Sequence, residues 1–263
     1  MIAILDWGIG GIGLLSTLRQ RNRQMPLLYF SDSGFLPYGK VSAPVLRNRV
    51  RAVAGFLVRQ GATHLAVACN AASTALPSLG VRGIAGQIET EAGPIQTTGV
   101  IAHGIRQVRK SGRRRVGVIG GRRTIRSGIY RKALVAPRRR VESRIAQPLS
   151  AHVEKGDLRS ARVQADIEKI LTPLEGIDAL LMACTHYPAL QPLFEAALPG
   201  VQMLDPIPDM ASWVLEHFQT PPTNNRSAFY TTGDPANMIR SAALAFGHKV
   251  QRVQRIPLDL TDP

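Results

Sequence analysis

Apolar residues fall along this chain in short continuous runs separated by polar stretches. "MIAIL", "PLLYF", "THLAVA", "RRVGVIG" and "DALLMA" are each a few apolar residues long and bounded by polar or turn-forming positions. Such runs suit strands buried on both faces, as in parallel sheets. Between them the period changes. "GIGLLSTLRQR" carries one apolar face, and from Ala43 to Gln60 the residues Val45, Val50, Val53, Phe56 and Leu57 recur at helical spacing. "SGFLPYGK" reads as a loop and "ASTALPSL" as a short, proline-punctuated helical turn. Strands alternating with helices predict a doubly wound α/β fold with mostly parallel sheets. Ligands in such folds sit beyond the carboxyl ends of the strands. That rule singles out Asp6, Asp32, Cys69, Gly120 and Cys184, each at a predicted strand end.

The first of these ends opens "LDWGIGGIG". Gly8, Gly10 and Gly13 fit the dinucleotide-binding spacing G-x-G-x-x-G, and Asp32 falls about where a ribose-binding acid would, roughly 20 residues on. Asp6, however, would place negative charge beside the pyrophosphate, and a nicotinamide site leaves the two cysteines unexplained. Cys69 and Cys184 lie in echoing contexts, "HLAVACNAASTALP" and "ALLMACTHYPALQP". A single buried cysteine is usually a small inert hydrophobe. Two of them, each ending an apolar strand and each followed by a polar residue, Asn70 or Thr185, suggest similar halves that each present a thiol. Backbone N–H groups at a strand-to-helix turn favour the thiolate. Asp6 and His186 are candidates to take or relay protons. Two thiols on opposite sides of a stereocentre can invert it: one removes a proton and the other delivers one to the far face. That scheme needs no metal and no redox cofactor, and no cluster of His, Cys and carboxylate stands at metal-ligand spacing.

These stretches resemble a known family. "ACTHYPAL" and "ACNAAST" are similar to the two cysteine motifs of the glutamate racemases, within the aspartate/glutamate racemase superfamily. "SDSGFLPYGK" resembles their substrate-binding loop and "LDWGIGGIG" their opening loop. Fainter likenesses, "VGVIGGRRTIRSGIY", "QPLSAHVEKG", "LDPIPDMA" and "FYTTGDPANMIRSAALAFG", follow in the family's order. The resemblance implies two similar Rossmann-like lobes with the active site between them. The expected division is residues 1–96 with 209–263 on the Cys69 side, and 97–208 on the Cys184 side. It also implies a cofactor-independent racemase with Cys69 and Cys184 as the acid/base pair, assisted by Asp6, Glu154 and His186, which also hold the substrate ammonium. Asn70 and Thr185 would bind the α-carboxylate. Pro37, Tyr38 and Gly39, with Thr124, would bind the side-chain carboxylate. Trp7 and Ala71 would line the same pocket. The expected partners are an amino-acid substrate and a second copy of the chain in a homodimer. With glutamate as substrate, the product would supply peptidoglycan synthesis.

Three positions depart from the pattern by losing a hydroxyl. Trp7 replaces a serine, Ala71 a threonine and Gly121 a threonine. Each lost hydrogen bond costs on the order of 1 kcal/mol of binding. Racemisation of another amino acid or related acid is therefore the alternative, and a chain that only binds is a further one. Ala146 also replaces a small residue, a tolerable change.

Charge adds a second question. Almost all of the formal net charge of +15 arises between Arg106 and Arg144, where Glu142 is the one acid. Such a segment attracts polyanions. It contains no zinc-finger spacing, aromatic ribonucleoprotein motif or helix-turn-helix. It reads first as a solvated face, with nucleic-acid binding as the alternative. Two cysteines in 263 residues, no apolar run near the roughly 18 residues of a membrane span and no secretory n-region give a cytoplasmic expectation.

Overall fold

The apolar runs form parallel strands, and their registers bring the chemically interesting residues to common edges. A computed structural model describes residues 1–219 and 227–258. The strands are β1 (Ile2–Asp6), β2 (Leu27–Ser31), β3 (His64–Val67), β4 (Ala85–Ile88), β5 (Ile95–Gly99), β6 (Arg115–Gly120), β7 (Arg140–Ile145), β8 (Ala179–Ala183), β9 (Gln202–Leu204), β10 (Ala228–Thr231) and β11 (Val253–Arg255). They make a seven-stranded sheet ordered β11-β10-β2-β1-β3-β5-β4 and a four-stranded sheet ordered β7-β6-β8-β9. Among the described residues only strand β4 runs antiparallel to its neighbour. The two lobes thus share a strand–cysteine–turn device but differ in size.

The helices are α1 (Ile12–Arg21), α2 (Ala43–Arg59), α3 (Asn70–Ser73), α4 (Val100–Ser111), α5 (Arg122–Arg126), α6 (Ile129–Leu134), α7 (Gln147–Glu154), α8 (Ala161–Leu171), α9 (Gln191–Ala197), α10 (Pro206–His217) and α11 (Pro235–Phe246). The helix expected from Ala43 to Gln60 is α2. Ser42 caps it by accepting from the Val45 N–H, and Pro44 sits in its first turn, where no intrahelical donor is needed. "ASTALPSL" gives α3 and then a tight 3-10 turn over Leu76–Leu79, ended by Gly80 at φ 93°.

Strand β5 pairs with β3 in the first sheet. The two sheets therefore part after Gly99, inside the segment expected to open the second lobe. The chain returns to the first sheet at β10, which pairs with β2. One apolar cluster runs through both lobes, joining Ile4 and Leu14 to Ile119, Leu149, Leu180 and Met182. This shared core fixes the lobes against each other at about 25 cal/mol per Å² of apolar surface buried.

Register does the positioning. Asp6 pairs with Ser31 and Leu5 with Val67, so Asp6, Asp32 and Cys69 emerge from one edge. Gly120 pairs with both Ile145 and Ala183, so Gly121, Ala146 and Cys184 emerge together from the second sheet.

Candidate active site

The opening loop is where the lobes press hardest. A Cβ on Gly8 would collide with the Glu154 carboxylate, and one on Gly10 with the Thr185 hydroxyl. These glycines leave room for side chains from the second lobe, and the space a pyrophosphate would need is filled. The Gly8 N–H donates to Asp6 Oδ1 at 3.2 Å and the Ile9 N–H to Glu154 Oε1 at 3.0 Å. The Tyr29 hydroxyl secures the loop from beneath by donating to the Gly8 carbonyl at 2.8 Å.

Asp6 is fully buried at the end of β1. Its Oδ2 accepts from the Thr185 hydroxyl at 2.8 Å, a bond that spans the lobes. Burial raises its pKa, and His186, Thr185 and the Gly8 N–H pull it partly back. Cys69 is buried just beyond β3, at the N-cap of α3. Burial pushes its thiol well above the ordinary range, Asp6 adds to that, and the Ala72 and Trp7 N–H groups oppose it. The charge of Cys184 is also felt at Cys69, so the two sulfurs share one electrostatic environment.

Cys184 is half-buried after β8. Its Sγ lies 3.6 Å from His186 Nδ1, and His186 Nε2 lies 2.6 Å from Glu154 Oε1. Burial lowers the His186 pKa, but its contacts with Cys184 and Glu154 outweigh that and raise it well above the usual value. Burial works upward on Glu154, yet His186 and the Ile9 N–H leave it lowered. The result is a charged relay behind one sulfur.

The other expected residues divide into those with free valence and those already committed. Asn70 Oδ1 accepts from the Tyr130 hydroxyl at 2.7 Å across the lobes, while its buried Nδ2 has no partner among the described residues. A buried donor without an acceptor is costly, and a bound carboxylate would satisfy it. Thr124 is buried, and Ala71 is partly so. Pro37 opens a tight turn in which its carbonyl accepts from the Lys40 N–H at 2.7 Å. The Tyr38 hydroxyl is committed, donating to Asp32 Oδ2 at 2.7 Å. What this turn can offer a ligand is backbone N–H, not phenol. A Cβ on Gly39 would meet Gln147 at 3.4 Å, an ordinary contact, so the protein's own packing does not require glycine there. Trp7 is likewise committed: its Nε1–H donates to the Phe35 carbonyl at 3.2 Å, pinning the loop after β2.

Asp32 is neither a ribose ligand nor a helix cap. It forms a buried bidentate pair with Arg49, at 2.6 Å and 2.8 Å, and accepts from Thr232 at 2.9 Å as well. Both oxygens are occupied. Removing one partner of such a pair costs about 3–5 kcal/mol, which makes Asp32 the anchor of the 33–41 loop.

Two contributors were not identified from the sequence, and Arg123, expected beside the lost threonine to present charge to an anion, is used differently. Tyr130, within "RSGIY", holds Asn70. Gln147 Oε1 accepts from the Arg122 N–H at 3.0 Å. It thereby satisfies the first unpaired N–H of α5, whose N-cap residue Gly121 has no side chain to offer. Arg123 reaches across the lobes, donating to the Tyr38 carbonyl at 2.8 Å and also to the Val41 carbonyl. Arg123 thus straps the 37–41 turn to the second lobe. Among the described residues no group of three or more His, Cys, Asp or Glu could hold a metal ion, and no helix is long and apolar enough to cross a membrane.

Comparison with known proteins agrees with this geometry. Residues 14–211 match the family described as Asp/Glu/Hydantoin racemase. The chain is 32% identical to the glutamate racemase of Thermus thermophilus over 266 residues, covering 98% of this chain and 96% of that one. It is 31% identical to the glutamate racemase of Stutzerimonas stutzeri over 255 residues, 94% of each. The crystal structure of glutamate racemase from Thermus thermophilus in complex with beta-chloro-D-alanine matches with a TM-score of 0.83 at 31% identity, covering 98% of this chain and 97% of that one.

Proposed function

The chain belongs to the Asp/Glu/hydantoin racemase family, and from that premise we propose that this racemase interconverts L- and D-glutamate by cofactor-independent proton transfer between Cys69 and Cys184. The observation that carries the reading is the pair of thiols at the facing edges of two sheets, each with its own carboxylate: Asp6 beside Cys69, and Glu154 behind His186 and Cys184.

The substrate α-carboxylate is held by the Asn70 amide and by the first N–H groups of α3, which have no intrahelical acceptor. These donors stabilise the charge that develops when the Cα–H bond breaks. The Asp6 and Glu154 carboxylates face the ammonium. In one direction the Cys184 thiolate takes the α-proton, and the electron pair remains on the Cα–carboxylate unit. The Cys69 thiol then donates its proton to the opposite face. Cys184 ends as a thiol and Cys69 as a thiolate, the starting point for the reverse direction. Protonated His186 is the positive partner for the Cys184 thiolate, and Asp6 is the group through which Cys69 exchanges its proton. D-glutamate is a building block of peptidoglycan, and its supply is the corresponding role in the cell.

The far end of the pocket supports a second reading. Gly121 has no hydroxyl, Ala71 has none, and the Trp7 donor is spent on Phe35. A racemase of the same chemistry acting on another amino acid would suit a site with fewer side-chain donors. Proton NMR in heavy water separates the two. Loss of the α-proton signal from both enantiomers of glutamate is expected. Exchange with a different amino acid and none with glutamate would move the assignment to the second reading. Silence across a broad panel would refute both.

A further inference from the structure

The arginines between 106 and 144 separate into two groups in space. Arg106 is drawn inward to Asp209 at 2.7 Å, Arg109 to the Ala133 carbonyl at 3.0 Å, and Arg123 to the 37–41 turn. These hold the fold together. The second group surrounds one hollow of about 730 Å³, whose lining includes Arg114, Arg115, Arg131, Arg138, Arg139 and Arg140. Glu142 is the only acid in its lining, and Asp178 stands beside it, paired with Arg115 at 2.9 Å. The turn between α6 and β7 is fixed by the Arg139 N–H donating to the Ala136 carbonyl at 2.8 Å, and Arg139 Nε donates to the Arg113 carbonyl at 3.1 Å. The scaffold is therefore ordered while the guanidinium groups are presented outward. Arg115 is 61% exposed while paired with Asp178, and Arg140 is 78% exposed while paired with Glu142 at 3.0 Å. Arg114, Arg131 and Arg138 are exposed, with no side-chain partner among the described residues.

We propose that this hollow binds the phosphodiester backbone of duplex nucleic acid without reading its sequence. The chemistry selects that partner. Every cation in the hollow is a guanidinium, whose planar fork matches phosphate oxygens two at a time. None of the lining residues is aromatic, so there is no platform on which unpaired bases would stack. A lipid surface would call for apolar side chains around the charges, and Val135, 55% exposed, is the large exposed hydrophobic at this rim. Like charges crowded on one face repel each other, and a polyanion relieves that by displacing its own counterions.

The location keeps this surface separate from the active site. Arg115 and Arg140 begin the parallel strands β6 and β7, whereas Gly121 and Cys184 follow the opposite ends of that sheet. The two ends lie about 16 Å of strand apart, at roughly 3.3 Å per residue. Binding in the hollow leaves the substrate pocket open, so the proposal stands whichever amino acid the enzyme turns over.

Fluorescence anisotropy with a labelled DNA duplex of arbitrary sequence tests it. With three or more phosphates neutralised, the affinity should fall roughly 40-fold or more between about 50 mM and about 200 mM salt. The triple variant Arg114→Glu, Arg131→Glu, Arg138→Glu should bind at least about tenfold more weakly at the same salt, with its circular dichroism spectrum and melting temperature unchanged. Arg138→Glu alone, on the exposed turn, should show a smaller loss of the same sign and guards against misfolding of the triple variant. Absence of binding by the parent protein at about 50 mM salt, or undiminished binding by the folded variants, would overturn the proposal. So would tighter capture by phosphatidylserine vesicles than by the duplex.

Discussion

The two sulfurs end similar strands and stand at facing sheet edges, yet their surroundings are opposite. Cys69 is buried, stands next to the Asp6 carboxylate, and is pushed by burial and by that charge toward its protonated form. Cys184 is half-exposed and touches a histidine whose positive form is stabilised by Glu154. One corner favours a protonated sulfur, and the other sets a positively inclined imidazole beside its sulfur. The comparison teaches that a symmetric reaction can be run by a chemically asymmetric site: on the proposed reading each turnover leaves the opposite thiol protonated, and that state sets which enantiomer is taken next.

The largest test of that asymmetry replaces the sulfurs one at a time. Cys69→Ser and Cys184→Ser should each lower racemisation by about 10²–10⁴-fold, the usual range for a general acid or base. Each variant should retain α-proton exchange with one enantiomer only, and the retained enantiomer should be opposite in the two variants. Equal losses with both enantiomers in both variants, measured by NMR in heavy water, would break the comparison.

A smaller effect should follow from Glu154→Gln. It should slow the direction begun by Cys184 about 10-fold or more, with a lesser effect on the other. Its pH dependence has a definite sign. The Glu154 pKa is lowered in the folded protein, so its contribution to stability is present above the ordinary carboxylate range and lost as pH falls through its folded value. The His186 pKa is raised, so its contribution is present below its ordinary value near 6.5 and lost as pH rises through its folded value. The two overlap in the mildly acidic range, above the ordinary carboxylate values and below about 6.5. The melting-temperature gap between parent and variant should be widest there, corresponding to about 2 kcal/mol, and should narrow toward both acid and alkali. A gap independent of pH would mean that the relay is a neutral hydrogen bond.

The smallest expected effect lies outside both corners. Arg123→Ala removes the strap on the 37–41 turn and leaves both thiols in place. KM should rise about 10-fold with kcat changed by less than about twofold, the pattern of lost binding rather than lost chemistry. A fall in kcat of the size seen for the Cys variants would place Arg123 in the proton-transfer machinery instead.

The parts of this molecule legible in its sequence are those governed by local periodicity. The apolar runs mark the strands, and the strand ends mark Asp6, Cys69 and Cys184. The helix over Ala43–Arg59 follows from its apolar spacing. What was not legible depends on long side chains crossing between lobes. Arg123 meets the Tyr38 carbonyl and Tyr130 meets Asn70 over sequence separations of 85 and 60, and no periodic signal couples such positions. Asp32 looked like a ligand because it ends a strand, but its partner Arg49 lies on an otherwise apolar face of α2, where a lone arginine reads as solvated. Gln147 gave no signal because its bond to the Arg122 N–H crosses a separation of 25 residues.

Chain order gives the Asp32–Arg49 pair a consequence for biosynthesis. Both residues leave the ribosome early, yet two of their covering partners, Thr232 and the Leu258 carbonyl, lie after the whole second lobe. Strand β10, which walls β2, is made just as late. Until then the nascent first lobe carries a half-dressed ion pair and an open sheet edge. Translation therefore delivers both cysteine sulfurs before it delivers the strand that completes the scaffold of the first.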